Sequence, residues 1–561
     1  MDIFTPNSLS LPLPALEIDM QLPQQKPILD NPRQPSRVVL CFIFQSLNVE
    51  QETIKSPRLN GALPRRKDRI AMQCHRLAPI FGMIEDTESD PLKVAWRTIK
   101  EQTALPQSSL TVFRHGKNFI SEDLSLGQKC VFYPFAFRLE SQPDAGLNDG
   151  IHGSCKSSGW KWYDPKTVEW VKEFGGIPYL QEGLRKVWFE IDLGPISGRI
   201  LAGGLRQLQH DHESGARKMA GVSLSVLQGV LENLDDPISL DGPWWQKARL
   251  AAWHLWKNGR QSMDAAILSF LLLALAEIET YLSTTSPDGA SKSLRKAFDT
   301  VQKTMRSFTN RISSNLALHV RSKIRKSGQS PKIFRIMTLS ASSTVRECVV
   351  QAALASGAPF VEIRVLESRP LFEGVSMASS ILSCLKSKPD IPKVRVTIFT
   401  DASVAMAAKD VDMLVLAADR IAADGSVSNK TGSLPAALST RHMSSSGEVV
   451  VVSEKHKVAM QTCDGEAHIV ENNDSSEVME AWEQNETVKG LETVQDSLDM
   501  DGSVCTIQQP TVDIQNVYFE WVPPTLIDAY ICEDGVKVPS DFQKQSLWVK
   551  EQCERYFESD L

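Results

Sequence analysis

The sequence predicts an α/β multidomain chain with an N-terminal α/β domain, a central helical bundle and a C-terminal domain built on a parallel sheet. Three observations predict it. Val- and Phe-rich runs separated by turns fill residues 37–205. Apolar residues recur at steps of three and four through 206–330. From residue 331 onward, short apolar runs alternate with segments of helix length. A change of hydrophobic period marks a change of secondary structure, and strand–helix alternation marks a parallel sheet covered on both faces.

The 561 residues suit three or four domains at roughly 100–200 residues each. Hydrophobic residues make up 42%, enough for ordinary cores, and the net charge of −7 is mild. No basic stripe is present, so direct nucleic-acid binding is not expected. None of the ten cysteines stands in a Cys-x-x-Cys pair. No zinc framework is therefore predicted, and the thiols read as free in a reducing compartment. The start of the chain shows no charged segment leading into an apolar run, so no secretory signal is predicted. The most apolar run, Ile267 to Ala276, is about half of what a membrane span needs. The expectation is a cytoplasmic protein with no membrane partner.

Taken in order, residues 1–36 hold seven prolines and little periodicity, and a disordered leader is predicted there. In the 37–205 domain, Val38–Phe44 (VVLCFIF) reads as a buried strand, with Leu110–Phe113 and Val131–Phe137 as further strands. In the 206–330 bundle, Met219, Val222, Val226, Val230 and Leu234 share one helix face. A single long helix is predicted through Leu294, Phe298, Val301, Met305, Phe308, Ile312, Leu316, Val320 and Ile324. In the 331–561 domain the strand candidates are FRIMTL, FVEIRVL, VRVTIFT, DMLVLAA, Glu448–Val452 and Ile527–Cys532. Within it, Asp464–Ser503 carries twelve acids and one lysine, and a disordered insertion is predicted at 464–503.

Ligands of parallel α/β sheets bind beyond the carboxyl ends of the strands, and the polar residues of the last domain gather there. Ser342, Ser343 and Thr344 follow the first strand where a helix begins, a place that favours an anion. Arg369 follows the second strand and can fork onto phosphate oxygens. Asp401 ends the third. Asn429 and Lys430 follow the fourth, and Lys457 the next. The set suits a phosphorylated ligand, either a phosphosugar or a nucleotide. The same cations can instead pair with Glu367, Asp419 or Asp424 and bind nothing.

These segments, in this order, carry a resemblance. TLSASS, ESRPLFEG, TDASVAMAAKDVDMLVLAADRIAADGSVSNKTGS, VVVSEKHK and PPTLIDAYICEDGV, with SGARKMA and GRQSM ahead of them, resemble one family. It unites the regulatory alpha, beta and delta subunits of eukaryotic translation initiation factor 2B with ribose-1,5-bisphosphate isomerase and methylthioribose-1-phosphate isomerase. The likeness runs from about His210 to the end and implies a Rossmann-like sheet domain. It implies Asp419 as a catalytic aspartate, and Ser340 at the position where the isomerases carry a catalytic cysteine. A serine has no accessible thiolate. Where the isomerases tend to carry Arg-Gly-Ala, this chain has Ser214-Gly215-Ala216, so a phosphate-binding arginine is missing. Ser340 and ESRPLFEG look like the translation-factor branch, whereas ADRIAADGSVSNKTGS looks like the isomerases. The resemblance also implies a homodimer and a translation initiation factor 2B-type complex as partners.

Gly82–Leu105 resembles a degenerate Nudix box, which implies a Nudix-like fold for the first domain. Gly82 and Glu88 fit its opening, and Arg97, Ile99, Glu101 and Leu105 its helix. Thr98 and Gln102 stand where two Mg²⁺-binding glutamates belong. Glu101, with Glu85 or Glu88 as its helper, is what remains of a metal site. Three functions follow as expectations. The first is a regulatory protein that binds a sugar phosphate or nucleotide. The second is a sugar-phosphate isomerase using Asp419 with Ser340. The third is a Mg²⁺-dependent Nudix hydrolase of nucleoside diphosphates, weakened by the lost carboxylates.

Overall fold

A computed structural model describes residues 35–46, 59–66, 79–103, 105–123, 128–139, 157–163, 165 and 179–561, the last stretch without 213, 287–288, 329–330, 389–390, 462–470, 472, 485–487, 499–511 and 559–560. The predicted leader lies outside the described residues except for its last two, and Ser36 already opens a strand.

VVLCFIF is apolar at every position because both faces of its strand are covered. In β1 (Ser36–Ser46), Val38, Leu40, Phe42 and Phe44 meet the helix Leu180–Val187 on one side. Val39, Cys41 and Ile43 meet the helix Pro91–Thr103 on the other. The remaining strands of this sheet are β2 (Leu59–Arg66), β3 (Ile80–Ile84), β4 (Leu110–His115), β5 (Phe119–Asp123), β6 (Gln128–Leu139) and β7 (Ser157–Tyr163). Their order is β4-β6-β1-β2-β7, with β3 also pairing β1 and β5 also pairing β6. Only the β1–β6 pair is parallel. The unit is thus a mixed α/β layer.

The helical layer begins at Glu190 rather than at residue 206. The helix Glu190–His210 bends at Gly194 (φ 79°), ahead of Pro195, and buries Leu193, Leu201, Leu205 and Leu208. It packs with the helices Ala216–Glu232, Pro243–Asn258, Asp264–Ser283 and Ala290–Ser327. The predicted long helix is present over 38 residues, with its apolar stripe from Leu294 to Val320 buried. It stops where Gly328 takes the left-handed conformation (φ 71°). The apolar run at Ile267 sits in a longer helix than the run itself suggests. Gln261–Ser283 is long and apolar enough to cross a membrane, at mean hydropathy 1.8, yet it lies mostly buried as the central helix of the bundle.

The last domain carries β8 (Ile333–Thr338), β9 (Phe360–Leu366), β10 (Lys393–Phe399), β11 (Met413–Leu416), β12 (Arg420–Ile421), β13 (Val427–Lys430), β14 (Glu448–Val452), β15 (Phe519–Val522), β16 (Ala529–Cys532) and β17 (Gly535–Lys537). Seven of them form a sheet in the order β10-β9-β8-β11-β14-β16-β17, parallel up to β16. The chain leaves β8 toward β9 on one side and returns at β11 on the other, which opens a crevice at their carboxyl ends. The small antiparallel sheet β12-β13-β15 stands beside it.

The acidic insertion differs from expectation. Its described part forms the helices Ser476–Glu483 and Leu491–Asp496. Residues 464–470, 472, 485–487 and 499–503 lie outside the described residues; among the described acids, Glu471 and Glu477 have partners. Glu471 Oε1 lies 2.6 Å from Arg260 Nη2, and Glu477 accepts from Asn516 Nδ2 at 2.8 Å and from the Tyr518 hydroxyl.

The first sheet is fastened to the bundle by Arg114, whose guanidinium meets both Glu190 oxygens at 2.7 Å and stacks 3.8 Å from the Phe189 ring centre. Arg114 is almost fully buried, so this pair is shielded from screening. Arg114→Met is expected to cost about 3–5 kcal/mol in denaturant unfolding, because Glu190 loses its partner. Adding Glu190→Gln should recover most of that loss. A single variant within about 0.5 kcal/mol of wild type would show that apolar contact alone holds the junction.

Candidate functional site

The crevice at β8 and β11 opens into a cleft of about 1000 Å³ between the sheet and the helical bundle. The sheet side is shaped by two tight loops. After β8 the chain turns through Ser340 in the left-handed region (φ 58°), and Ser342 then caps the helix Ser343–Ala355 by accepting from Val345 N. After β9, Ser368 and Phe372 are also left-handed. Gly374 is required where this loop closes, since a Cβ there would lie 1.8 Å from the Leu366 carbonyl oxygen. Asp401 builds the same loop, its two oxygens accepting from Ser368 N at 2.9 Å and Arg369 N at 2.8 Å.

Asp419 leaves β11 with its N–H donating to the Ser428 carbonyl at 2.9 Å. Its carboxyl lines the cleft. Burial pushes its pKa above the usual carboxylate value; Lys457, Lys430 and Arg260 oppose that rise, and Glu373 adds to it. Lys457 Nζ donates to the Ala418 carbonyl at 2.6 Å. Lys430 Nζ lies 3.2 Å from Glu373 Oε1 and 3.9 Å from the Tyr518 ring centre. The second oxygen of Glu373 accepts from Ser340 Oγ at 2.7 Å. Asn429, buried, donates to Ser433 Oγ at 2.9 Å.

The structure therefore brings Ser340, Ser342, Ser343, Thr344, Asp419, Asn429, Lys430 and Lys457 to one cleft. Arg369 is the exception. It lies outside the lining, half-exposed, with Nε 3.8 Å from Glu367 Oε1 and its guanidinium 5.1 Å from the Phe372 ring centre. The pairing with Glu367 that the sequence left open is the one formed, because the loop turns the side chain away. Two ion-paired cleft residues escaped the sequence reading. Glu373, inside the quoted ESRPLFEG, bridges Ser340 and Lys430. Arg217, inside SGARKMA, pairs with buried Glu454 and with the Thr309 hydroxyl.

The expected Mg²⁺ ligands do not fit a metal. Thr98 is buried, with Oγ1 donating to the Val94 carbonyl and packing against Gly82. Gln102 Nε2 donates to the Phe81 carbonyl at 2.8 Å. Both side chains point into the sheet, where glutamates would have to be buried. Glu88 and Glu101 both face Arg97, at 3.0 and 4.0 Å, and Glu101 is largely exposed. Among the described residues no group of three or more His, Cys, Asp or Glu side chains is placed to hold a metal ion.

With this geometry in view, residues 261–539 match the model of the Initiation factor 2 subunit family. Ribose 1,5-bisphosphate isomerase of Haloferax volcanii is 28% identical over 200 residues, covering 36% of this chain and 51% of that protein. Methylthioribose-1-phosphate isomerase of Yarrowia lipolytica is 24% identical over 184 residues, covering 33% and 45%. The chain thus spans about half the length of these curated relatives. Among solved structures, translation initiation factor eIF-2B of Pyrococcus horikoshii OT3 is 20% identical, with TM-score 0.41, covering 61% of this chain and 98% of that one. The first sheet lies outside the family match.

The turn that carries Lys457 also carries His456, buried with its ring 5.0 and 5.3 Å from those of Phe270 and Phe308. Burial lowers its pKa from 6.5 to about 4, with Lys455 assisting and Asp534 opposing. Between those two values the unfolded chain holds a proton that the folded one does not, so stability falls as pH drops from 6.5 to about 4. His456→Phe is expected to flatten the fall in unfolding free energy across that window. Equal slopes for wild type and variant would refute the assignment.

Proposed function

We propose that the C-terminal half binds a phosphorylated pentose in this cleft and holds it without isomerising it, in the manner of a regulatory subunit. The observation that carries the reading is the pairing of a retained cationic cleft with Ser340. Lys430, Lys457 and the helix start at Ser342–Thr344 provide for an anion. At the position where the isomerases carry a thiol stands a hydroxyl that already donates to Glu373. A serine hydroxyl is a far weaker acid than a cysteine thiol.

A second reading, sugar-phosphate isomerisation, is favoured by Asp419. A carboxyl whose pKa is raised inside a cleft is suited to moving protons near neutral pH. The two readings separate in one experiment. Ribose 1,5-bisphosphate, methylthioribose 1-phosphate and ribose 5-phosphate are each incubated with the whole chain and followed by NMR. Melting temperature is measured in parallel, since a bound ligand stabilises by mass action. The expected result is stabilisation without conversion. Lys430→Met should weaken binding by about 1.5–3 kcal/mol, tenfold or more. Conversion to the ketose by wild type that is lost in Asp419→Asn would establish the isomerase instead.

The same reading includes a homodimer. Parallel sheets are normally covered, yet β10 forms an edge, and Leu371, Val375, Leu382, Ile398 and Met406 are exposed on or beside it. Light scattering should give twice the chain mass, and Ile398→Glu with Met406→Glu should give a folded monomer. A wild-type monomer at high micromolar concentration would remove this part of the proposal.

A further inference from the structure

Three lysines meet where the first sheet joins the bundle. Lys117 follows β4, Lys186 stands in the last turn of the helix Leu180–Val187, and Lys257 in the last turn of the helix Pro243–Asn258. Backbone contacts fix their meeting. The Asn258 side chain holds His115 on both sides, accepting from its N–H at 2.6 Å and donating to its carbonyl at 3.0 Å. Gly116 lies so close to the other helix that a Cβ there would stand 3.0 Å from the Lys186 carbonyl oxygen. The turn that carries Lys117 is thus gripped between the two helix ends.

Among the described residues none of the three has an ion pair. Lys117 is only 8% exposed, and its Nζ reaches the neighbouring Asn118 amide oxygen at a long 3.5 Å. Lys257 Nζ rests 3.7 Å from the Trp256 ring centre. Burial lowers the pKa of all three lysines. For Lys117 the ammonium groups of Lys186 and Lys257 add to the fall, while Cys553 and Glu558, at the end of the last helix, oppose it. Lys186 and Lys257 complement the carbonyl ends of their own helices, each worth about half a negative charge. Three positive charges less about one leave roughly two within ion-pair reach. A phosphate monoester carries about that charge with the opposite sign at neutral pH.

We propose that this junction is an oxyanion site for a phosphate-type dianion, either free phosphate or the phosphate group of a small molecule. Its oxygens accept from the ammonium groups of Lys117, Lys186 and Lys257. The bound ion then ties the first sheet to the bundle. None of the three lysines lines the cleft, and all lie outside the family match, so the site does not rest on the phosphosugar reading.

The test is thermal unfolding of the whole chain carrying Lys430→Met, which weakens anion binding in the cleft. Melting is followed against phosphate, glycerol 3-phosphate and chloride at matched ionic strength. Phosphate should raise the melting temperature where chloride does not, since a ligand of the folded state stabilises by mass action. Adding Lys117→Met should raise the phosphate concentration needed for the same gain about tenfold, the scale of one charge-assisted contact. Lys117→Arg, which keeps the charge, should raise it less. In chloride, Lys117→Met should melt no lower than its parent, because a buried ammonium without a partner is removed. A gain from phosphate alone supports the free ion as ligand, and an equal gain from glycerol 3-phosphate supports the phosphate group of a larger molecule. A fall of equal size in both salts for Lys117→Met would assign that lysine to packing and overturn the inference. Equal gains from phosphate and chloride overturn it as well. So does an undiminished phosphate gain in the chain that adds both Lys117→Met and Lys257→Met.

Discussion

Everything in the C-terminal two-thirds depends on one helix belonging to two layers at once. Ala290–Ser327 packs along its length against both the bundle helix Asp264–Ser283 and the sheet-covering helix Ser343–Ala355, within a single continuous core. Its polar side is fixed to the sheet as well. Asn315 donates to the Cys532 carbonyl at 2.8 Å, and His319 and Lys323 both hold Glu448. Burial would raise the Glu448 pKa, but those two partners outweigh it and hold the carboxylate below its ordinary value. A helix fixed on two sides cannot slide. The start of the neighbouring helix Ala216–Glu232 is therefore held opposite the carboxyl ends of β8 and β11, which is what makes a cleft from two layers. Thr309, on the same long helix, also meets Arg217 in that cleft.

The elements that the sequence revealed are those in which a hydrophobic period persists. The stripe from Leu294 to Val320 needs no tertiary information, since steps of three and four fit only one element. VVLCFIF likewise announces a strand buried on both faces. The helical layer starts ahead of residue 206: the helix Glu190–His210 bends at Gly194, ahead of Pro195, and continues through Leu201, Leu205 and Leu208. The acidic insertion misled. Its charge suggests self-repulsion, but Glu471 and Glu477 find partners at Arg260, Asn516 and Tyr518, which are remote in the sequence.

The cleft was legible as far as strand ends could place it. Ser340, the Ser342–Thr344 helix start, Asp419, Asn429, Lys430 and Lys457 all follow strands, and topology alone sends them to one place. Orientation within a loop is a different matter. Arg369 follows a strand too, yet Asp401 pins its backbone and Glu367 takes its guanidinium. Glu373 and Arg217 were invisible because their roles come from pairings across the fold; Arg217 and Glu454 lie 237 residues apart. Orientation also decides what the Nudix-like box presents. Spacing put Thr98 and Gln102 in the right register, but their side chains turn to the sheet and bond backbone carbonyls.

The paired cations of the cleft change how its chemistry should be understood. Lys430 with Glu373, and Arg217 with Glu454, are each internally compensated. Any anion entering there would compete with a carboxylate for each of these two cations. Affinity is then a difference between two pairings rather than the strength of one. Under that constraint a single carboxylate is an efficient lever, since it sets which end of the cleft accepts an anion while the scaffold stays fixed. Ser340 sits at the same point: its hydroxyl donates to the second oxygen of Glu373, so that carboxylate is held by Ser340 on one side and by Lys430 on the other. A sheet with a fixed switch point can thus change the character of its cleft through side chains at its strand ends, with no change of fold.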